Sequence, residues 1–289
     1  MIVPTGRLTR EQKAKQFHQL HHSGKLLVLP NIWDCIGALL LEDLNYPAIA
    51  TASASVAFSN GYDDGENIPF DVLLALLGRI ANSVNVPVTA DIESGYADND
   101  IELKNNIRRI MQAGIVGINI EDTDKKTKAL LPVQAQCEKI KLMKKIADEM
   151  SMSIFINART DVYIQKNYFD APGSQLEEAI SRGLAYKAAG ADCFFPLAIQ
   201  HSDHIKAVID QLQMPVNILT IPGIPELNVL NEYGVARVSL GPSFLKIVIR
   251  AMKETAMQLK DYQGLSLVTQ NEITSDYLKK LVSKNKETT

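Results

Sequence analysis

The sequence predicts an α/β chain closed into a (β/α)8 barrel, and three observations carry that expectation. Eight short apolar runs rich in β-branched residues alternate with amphipathic stretches of helical period. Three runs end in polar segments, Asp91-Ile-Glu93-Ser-Gly-Tyr96, Ile120-Glu121-Asp122 and Asn157-Ala-Arg159-Thr-Asp161. These recur about every thirty residues, the length of a strand plus a helix. The corner Ala113-Gly114 returns as Ala189-Gly190, each glycine standing where a helix C-cap needs a left-handed residue.

Taken in order, residues 26–30 read as the first strand and 35–44 as its helix. Residues 48–53 form the second strand, and Pro69 opens a helix over 70–84, a position that tolerates proline's missing N–H. The third strand spans 86–93, with a helix from 101 to the Ala113-Gly114 corner. The fourth spans 116–121, followed by a long amphipathic helix over 133–150. The fifth, 153–158, leads to a helix over 175–189. Strands at 192–196, 215–220 and 237–241 complete the eight expected of a TIM barrel. Helices over 242–262 and about 271–284 exceed the one needed for closure, so they pack on the barrel or on another subunit. The expected organisation is a single (β/α)8 domain over residues 1–289, with 243–289 as a C-terminal helical extension.

Composition narrows the function classes. A hydrophobic content of 46% with 22% charged residues is ordinary for a soluble enzyme. The net charge of −3 offers no basic field for nucleic acid. Cys35, Cys137 and Cys193 lie far apart without a CxxC pair, which points to a reducing compartment and away from structural zinc. No apolar leader follows Met1, and no run reaches the ~20 apolar residues of a membrane span. A cytoplasmic protein without membrane contact is expected.

In a parallel barrel the strand C-termini open onto one face, where chemistry collects. Asp91 and Glu93 lie two apart on a segment read as extended, so their side chains share a face. Like charges in that position call for a cation, and Mg²⁺, which takes one or two direct carboxylates and keeps its waters, answers the need. Glu121 can complete the shell through water, whereas the plain alternative is a set of acids ion-paired across strand ends. Arg159 ends the fifth strand and offers a planar fork to a carboxylate or phosphonate, or else a partner to Glu121 or Glu93. Thr51-Ala52-Ser53 is a small-residue strand end that lets a ligand approach backbone N–H groups, or simply packs tightly. Asp63 and Asp64 sit in a turn-rich loop, and Asp124 to Lys128 reads as a surface loop or as a lid delivering a lysine. His201 and His204 read as surface residues, and no nucleotide, serine-hydrolase or zincin motif is present.

With these residues in place, the chain resembles the isocitrate lyase/phosphoenolpyruvate mutase superfamily over roughly residues 25–243. The motifs that carry the resemblance are Thr51-Ala-Ser53, Gly61-Tyr-Asp-Asp64-Gly-Glu66, Asp91-Ile-Glu93-Ser-Gly-Tyr96, Ile120-Glu121-Asp122, Ala158-Arg159-Thr-Asp161 and Phe195-Pro196. The resemblance implies Mg²⁺ or Mn²⁺ holding a 2-oxo acid or its enolate. Asp91 would be the direct ligand, and Asp64, Glu93 and Glu121 would hold metal-bound waters. Arg159 would bind the substrate carboxylate together with backbone N–H groups at Ala52 and Ser53. Asn217 is placed on the substrate side, and Asp64, Glu121, Arg159 and the loop residue Lys126 among the catalytic groups. The resemblance also implies a last helix exchanged between subunits and a dimer of dimers.

Departures from the family pattern set the subclass. The loop after the fourth strand lacks the cysteine of the lyases, the nearest being Cys137, and Lys126-Thr-Lys128 only partly matches the phosphonomutase loop. Leu197 stands where methylisocitrate lyases carry a glutamate. The expected activity is a carboxyphosphonoenolpyruvate phosphonomutase-like reaction on a small 2-oxo or phosphono carboxylate, breaking or rearranging a C–C or P–C bond. The alternatives are a C–C lyase or oxaloacetate-type decarboxylase, as in 2-methylisocitrate lyase, or a barrel that binds an oxo acid without turnover.

Overall fold

The computed structural model describes residues 7–165 and 173–283. Arg10–His21 (α1) comes first, started by a reciprocal capping box between Thr9 and Gln12. Leu27–Leu29 (β1) and Asn31–Ile32 (β2) are one strand interrupted at Pro30, which has no N–H for the ladder. Cys35–Asp43 (α2) starts where the Asp34 carboxylate accepts the Gly37 N–H at 2.7 Å. Ile49–Thr51 (β3) runs into Ser53–Ser59 (α3) and then Phe70–Ser83 (α4). Strand and helix now alternate: Val88–Asp91 (β4), Asp100–Gln112 (α5), Gly117–Glu121 (β5) and Val133–Glu149 (α6). Phe155–Thr160 (β6), Ser174–Ala189 (α7), Cys193–Pro196 (β7) and Ser202–Leu212 (α8) continue the pattern. Asn217–Leu219 (β8), Leu227–Glu232 (α9) and Arg237–Ser239 (β9) finish the barrel, and Ser243–Lys260 (α10), Leu265–Thr269 (α11) and Ser275–Ser283 (α12) follow it.

All ladder pairings are parallel, in the orders β2-β3-β4-β5-β6-β7 and β1-β9-β8. The strand split at Pro30 belongs to both ladders, and a parallel bridge from Phe194 to Val216 joins β7 to the entrance of β8. The sheet therefore closes on itself as the expected α/β barrel. Outside it, Leu77 and Ile80 of α4, Ile107 and Ile110 of α5, and Ile140 and Met143 of α6 are fully buried against the strands. Inside, at the strand N-termini, Leu27, Leu29, Ala48, Ala50, Phe155 and Cys193 cluster around Phe17 of α1. Phe17 meets the Phe155 ring edge-on with centroids 5.1 Å apart. Gly117 leaves the space, because a Cβ there would stand 2.7 Å from the Phe17 ring. With α1 plugging this end, a ligand can enter only from the face where the strand C-termini open.

Three local departures from the sequence expectation bear on that face. The segment after Thr51 is not strand to residue 53 but turns into α3 at Ser53. β4 stops at Asp91, and Glu93 adopts φ +52°, so the acids at 91 and 93 converge through a turn and not by strand alternation. Arg159 lies within β6, which runs two residues further than expected. The helices α1, α3, α9 and α11 also escape the sequence pattern, being short or having only a narrow apolar stripe. Lys284, at the end of the last expected helix, lies outside the described residues.

After Leu245, α10 leaves the barrel, and Ile247, Val248, Ile249, Met252 and Met257 stand exposed along it. The chain returns at α12, which packs on α2 and buries Leu281, with the Tyr277 hydroxyl donating to Asp43 at 3.1 Å. Among the described residues no helix is long and apolar enough to cross a membrane.

Candidate active site

Asp91 ends β4 with its carboxylate over the open face of the barrel. Its N–H donates to Thr51 Oγ1 at 3.2 Å, and its side chain accepts from Ser53 Oγ at 3.3 Å and from the Glu93 N–H at 3.2 Å. Asp64, on the loop between α3 and α4, faces Asp91 and Ser53. The strands that follow add Asn119, paired in register with Asp91, and then Glu121 opposite Arg159.

Glu93 reaches the cluster from a strained turn. It has φ +52° and Tyr96 φ +54°, a region that costs a residue with a Cβ about 1–3 kcal/mol. Glu66 offsets that cost. Its Oε1 accepts from Ser94 N at 3.0 Å, Ser94 Oγ at 2.6 Å and Tyr96 N at 2.8 Å. Its own N–H donates to Glu93 Oε2 at 2.8 Å, while the Tyr96 hydroxyl donates to Glu93 Oε1 at 2.9 Å.

Arg159 is held from two sides. Nη1 meets Glu121 at 2.8 Å, and Nε and Nη2 form a fork on Asp161 at 2.6 and 3.0 Å. Thr123 Oγ1 donates to the same Asp161 carboxylate at 2.7 Å. Beneath it the fully buried Asp122 accepts from Thr160 Oγ1, the Asp161 N–H, Arg182 Nη1 and the Tyr186 hydroxyl at 2.6–3.0 Å. These bonds fasten the ends of β5 and β6 to α7. A guanidinium has five N–H groups, so three are committed here and Nη1 and Nη2 each keep one.

The cluster carries too much negative charge for its cations. Asp64, Asp91, Glu93, Glu121 and Asp161 share Arg159, and Lys125 is directed to Glu66 and Asp98. Burial, with Asp91 and Asp64 nearby, pushes the Glu93 carboxyl up to about 7. Burial also raises Asp64, again with Asp91 adding to it, and raises Glu121 against the pull of Arg159. A set of oxygen donors with surplus charge fits a hard divalent cation. Among the described residues no three His, Cys, Asp or Glu side chains form a closed cage, so water must supply part of any such cation's shell.

A cavity of about 180 Å³ opens over these groups, lined by Ala52, Ser53, Asp64, Asp91, Asn119 and Arg159 together with Phe195, Leu197, Leu219 and Pro242. This is small beside the ~300–1,000 Å³ of pockets that take drug-sized ligands. A neighbouring hollow of about 220 Å³ is lined by Asp98, Lys125, Lys126 and Lys139 and contains none of the five acids around Arg159.

The sequence pattern of the phosphoenolpyruvate phosphomutase family matches residues 17–260. The chain belongs to that family. An uncharacterized protein of Mycobacterium tuberculosis is 34% identical over 250 residues, covering 86% of this chain and 90% of that one. The crystal structure of a provisionally named phosphonomutase from Burkholderia cenocepacia J2315 is 36% identical, covers 86% of this chain and 99% of its own, and superposes with a TM-score of 0.78. The 2-methylisocitrate lyase of Bacillus subtilis is 26% identical over 215 residues, 72% of this chain and 67% of the relative. Lyases and mutases make up this family, and the barrel is its fold.

Within the family's barrel, the structure brings Asp64, Asp91, Glu93, Glu121, Arg159, Ala52 and Ser53 to one place and leaves two expected residues outside it. Lys126 is 72% exposed, with its ammonium on Asp98 at 3.3 Å. The cause is the loop, which folds on itself through a Thr123–Leu130 bridge. Asp124 Oδ1 accepts from the Lys126 and Thr127 N–H groups there, which turns Lys126 outward. Lys128 points the other way, its Nζ 3.4 Å from where a Cβ on Gly65 would sit. Asn217 is fully buried one layer below the cavity floor, accepting from Ser239 Oγ at 3.2 Å, while Leu219 two residues on reaches the wall.

Sequence reasoning missed Asn31, Asn119 and Asp161 as site residues. Asn31 accepts the Leu240 and Gly241 N–H groups at 2.7 and 3.0 Å and donates to Thr51 O at 2.8 Å, tying the start of α10 to β3. Its place at the end of the first strand was the available signal, as for the acids.

Proposed function

We propose that the chain is a Mg²⁺- or Mn²⁺-dependent enzyme that acts on a small 2-oxo or phosphono carboxylate through an enolate-type intermediate, breaking or rearranging a C–C or P–C bond. The observation that carries this is the surplus of five carboxylates, of which Asp91, Glu93, Glu121 and Asp161 are buried or half-buried, around one guanidinium with two N–H groups to spare at the open end of the barrel. Binding a neutral ligand would not require that charge. In this reading Asp91 holds the cation directly, and Asp64, Glu93 and Glu121 hold its waters. A bound divalent cation supplies Lewis-acid charge beside a developing oxyanion. Arg159 orients the substrate carboxylate through its two remaining N–H groups, with backbone at Ala52 and Ser53 alongside. Glu121 and Asp161 keep that guanidinium from rotating, so little ordering is left to be done on binding.

A decarboxylase-type reaction is the second reading, and the cavity wall favours it. Among the described residues lining the cavity there is no Cys, His or Lys, and Cys137 is buried on α6. Loss of CO₂ yields an enolate without a side-chain base to remove a carbon-bound proton. Purified protein with Mg²⁺ and a panel of oxaloacetate, phosphonopyruvate, methylisocitrate and dimethylmalate, followed by phosphorus NMR and keto-acid release, separates the readings. Absence of product from all four, with Mg²⁺ binding unchanged in Asp91→Ala, rejects the enzyme proposal.

The exposed apolar face of α10 belongs to the same proposal. Residues 243–289 form an extension that trades helices with a second copy of this chain, the pairs assembling as a dimer of dimers. An 18-residue helix held in solvent with isoleucine, valine and methionine along it is costly for a monomer. The single-domain organisation over residues 1–289 and a cytoplasmic location complete the reading.

A further inference from the structure

We infer that Arg237 supplies the positive charge for the second anionic group of the substrate, acting from beneath the cavity floor through Ser239. This rests on the reading above that the acids and Arg159 hold the oxo-acid head. It assigns a buried cation which that reading leaves unused.

Arg237 and Ser239 stand two apart on β9, so their side chains share one face of the strand. That face is the inner one, because their register partners Leu27 and Leu29 belong to the cluster inside the barrel. Ser239 lines the cavity, and Arg237 lies one layer below it. The guanidinium turns up toward the cavity, with Nε donating to Ser239 Oγ at 3.0 Å. β9 is four strands from β5 either way round the barrel, so Ser239 faces the acid-bearing strand ends from across the floor.

The charge on Arg237 is not balanced from within the chain. The residue is fully buried, and among the described residues neither Nη1 nor Nη2 has a hydrogen-bond partner. Asn217, beside it in register, also leaves Nδ2 unpartnered. Burial lowers Arg237 only to about 10, so it stays protonated at neutral pH. Its neighbours do not neutralise it. Burial pushes the Cys193 thiol up to about 12 and draws His21 down to about 3, so both are uncharged. Asp91 attracts it, but that carboxylate is committed to the cation in the reading above.

A guanidinium taken out of water without a counter-ion is costly to bury. An anion at the floor offsets that cost, and charges interact strongly in the low-dielectric interior. The substrates of both readings carry a second anionic group. Among the described residues lining the cavity Arg159 is the only cation, and it serves the first. The Ser239 hydroxyl carries the contact, since its proton rotates to suit its acceptor. Swung from Asn217 Oδ1, 3.2 Å away, to the anion, it leaves Arg237 Nε bonded to the same oxygen. Arg237 is thus a positioning residue that sets specificity for a doubly anionic substrate.

Calorimetric binding with Mg²⁺ compares pyruvate with sulfopyruvate, which adds a sulfonate that stays charged at any working pH. The wild type should bind sulfopyruvate about tenfold tighter. Arg237→Met should remove that preference while leaving pyruvate affinity within about threefold, and Arg237→Lys should keep part of it. A wild type without the preference, or an Arg237→Met variant that retains it, overturns the inference while leaving the head site intact. A crystal structure of the wild type with Mg²⁺ and sulfopyruvate decides the point even where the variants fail to fold. The sulfonate should lie against Ser239 Oγ, and a sulfonate at Arg159 or turned to solvent overturns the inference. Failure of both ligands to bind the wild type removes the head site and this inference with it.

Discussion

Glu121 and Arg159 occupy the same rung of neighbouring parallel strands, and their side chains meet at 2.8 Å above the barrel. Strand register alone sets the pair, while Asp161, two residues further on, takes the other edge of the guanidinium. The result is an arginine whose fork is oriented before any ligand arrives.

Arg159→Lys should therefore fail although it keeps the charge. An ammonium cannot bridge Glu121 and Asp161 and still present paired N–H groups. We expect carboxylate binding to weaken by more than about tenfold and the melting temperature to fall, because the buried Asp161 and the half-buried Glu121 lose their partner. Calorimetry of pyruvate binding beside a thermal melt checks both. Unchanged affinity would show that Arg159 is structural only.

The raised Glu93 carboxyl gives stability a definite pH slope. Its group moves from 4.5 to about 7, with burial the largest cause. The folded chain thus keeps a proton that the unfolded chain releases between those values. Stability is greatest below pH 4.5 for this group and declines as pH rises toward 7, by up to about 3 kcal/mol. Melts of the metal-free protein from pH 5 to 8 should show the decline, Glu93→Gln should reduce it while leaving the part due to the raised Glu121, and Mg²⁺ should restore stability at pH 8. Coincident wild-type and variant profiles would contradict the assignment.

Lys126→Ala should be nearly silent, within about 0.5 kcal/mol in stability, as befits an exposed lysine. Lys128→Ala should cost more, on the order of tenfold in turnover, or ~1.4 kcal/mol, because its ammonium lies over the Asp64-Gly65 turn. Steady-state rates of the two variants on whichever substrate the panel identifies decide between them. A larger loss in Lys126→Ala would mean that the loop rearranges during the reaction.

Val248 and Met252 lie four residues apart on one face of α10, both exposed. Replacing both with Glu should leave the barrel folded by circular dichroism but shift sedimentation from an oligomer to a monomer. A wild-type protein that sediments as a monomer would refute the proposed exchange of helices.

Much of the site is legible along the chain because its parts are local. Asp91, Glu121 and Arg159 each end an apolar run, and a parallel barrel turns strand ends into one face. Lys126 shows where that logic stops: a loop's own hydrogen bonds decide which of three lysines faces the acids. Glu93 shows it again, since Glu66, 27 residues earlier, helps hold the turn that aims it, through its carboxylate on Ser94 and Tyr96 and its N–H on Glu93.

The sequence by itself determined the alternation of strands and helices, the closure count and the sign of the charge at the open face. Those follow from the period of apolar residues and from what stands at the end of each run. Only the tertiary structure decided that Asn217 lies beneath the floor while Leu219 reaches the wall, that Asn31 ties α10 to β3, and that Phe195, Leu197 and Pro242 line one cavity with Asp91 and Arg159. These depend on register and distance between strands far apart in sequence, which no local pattern encodes.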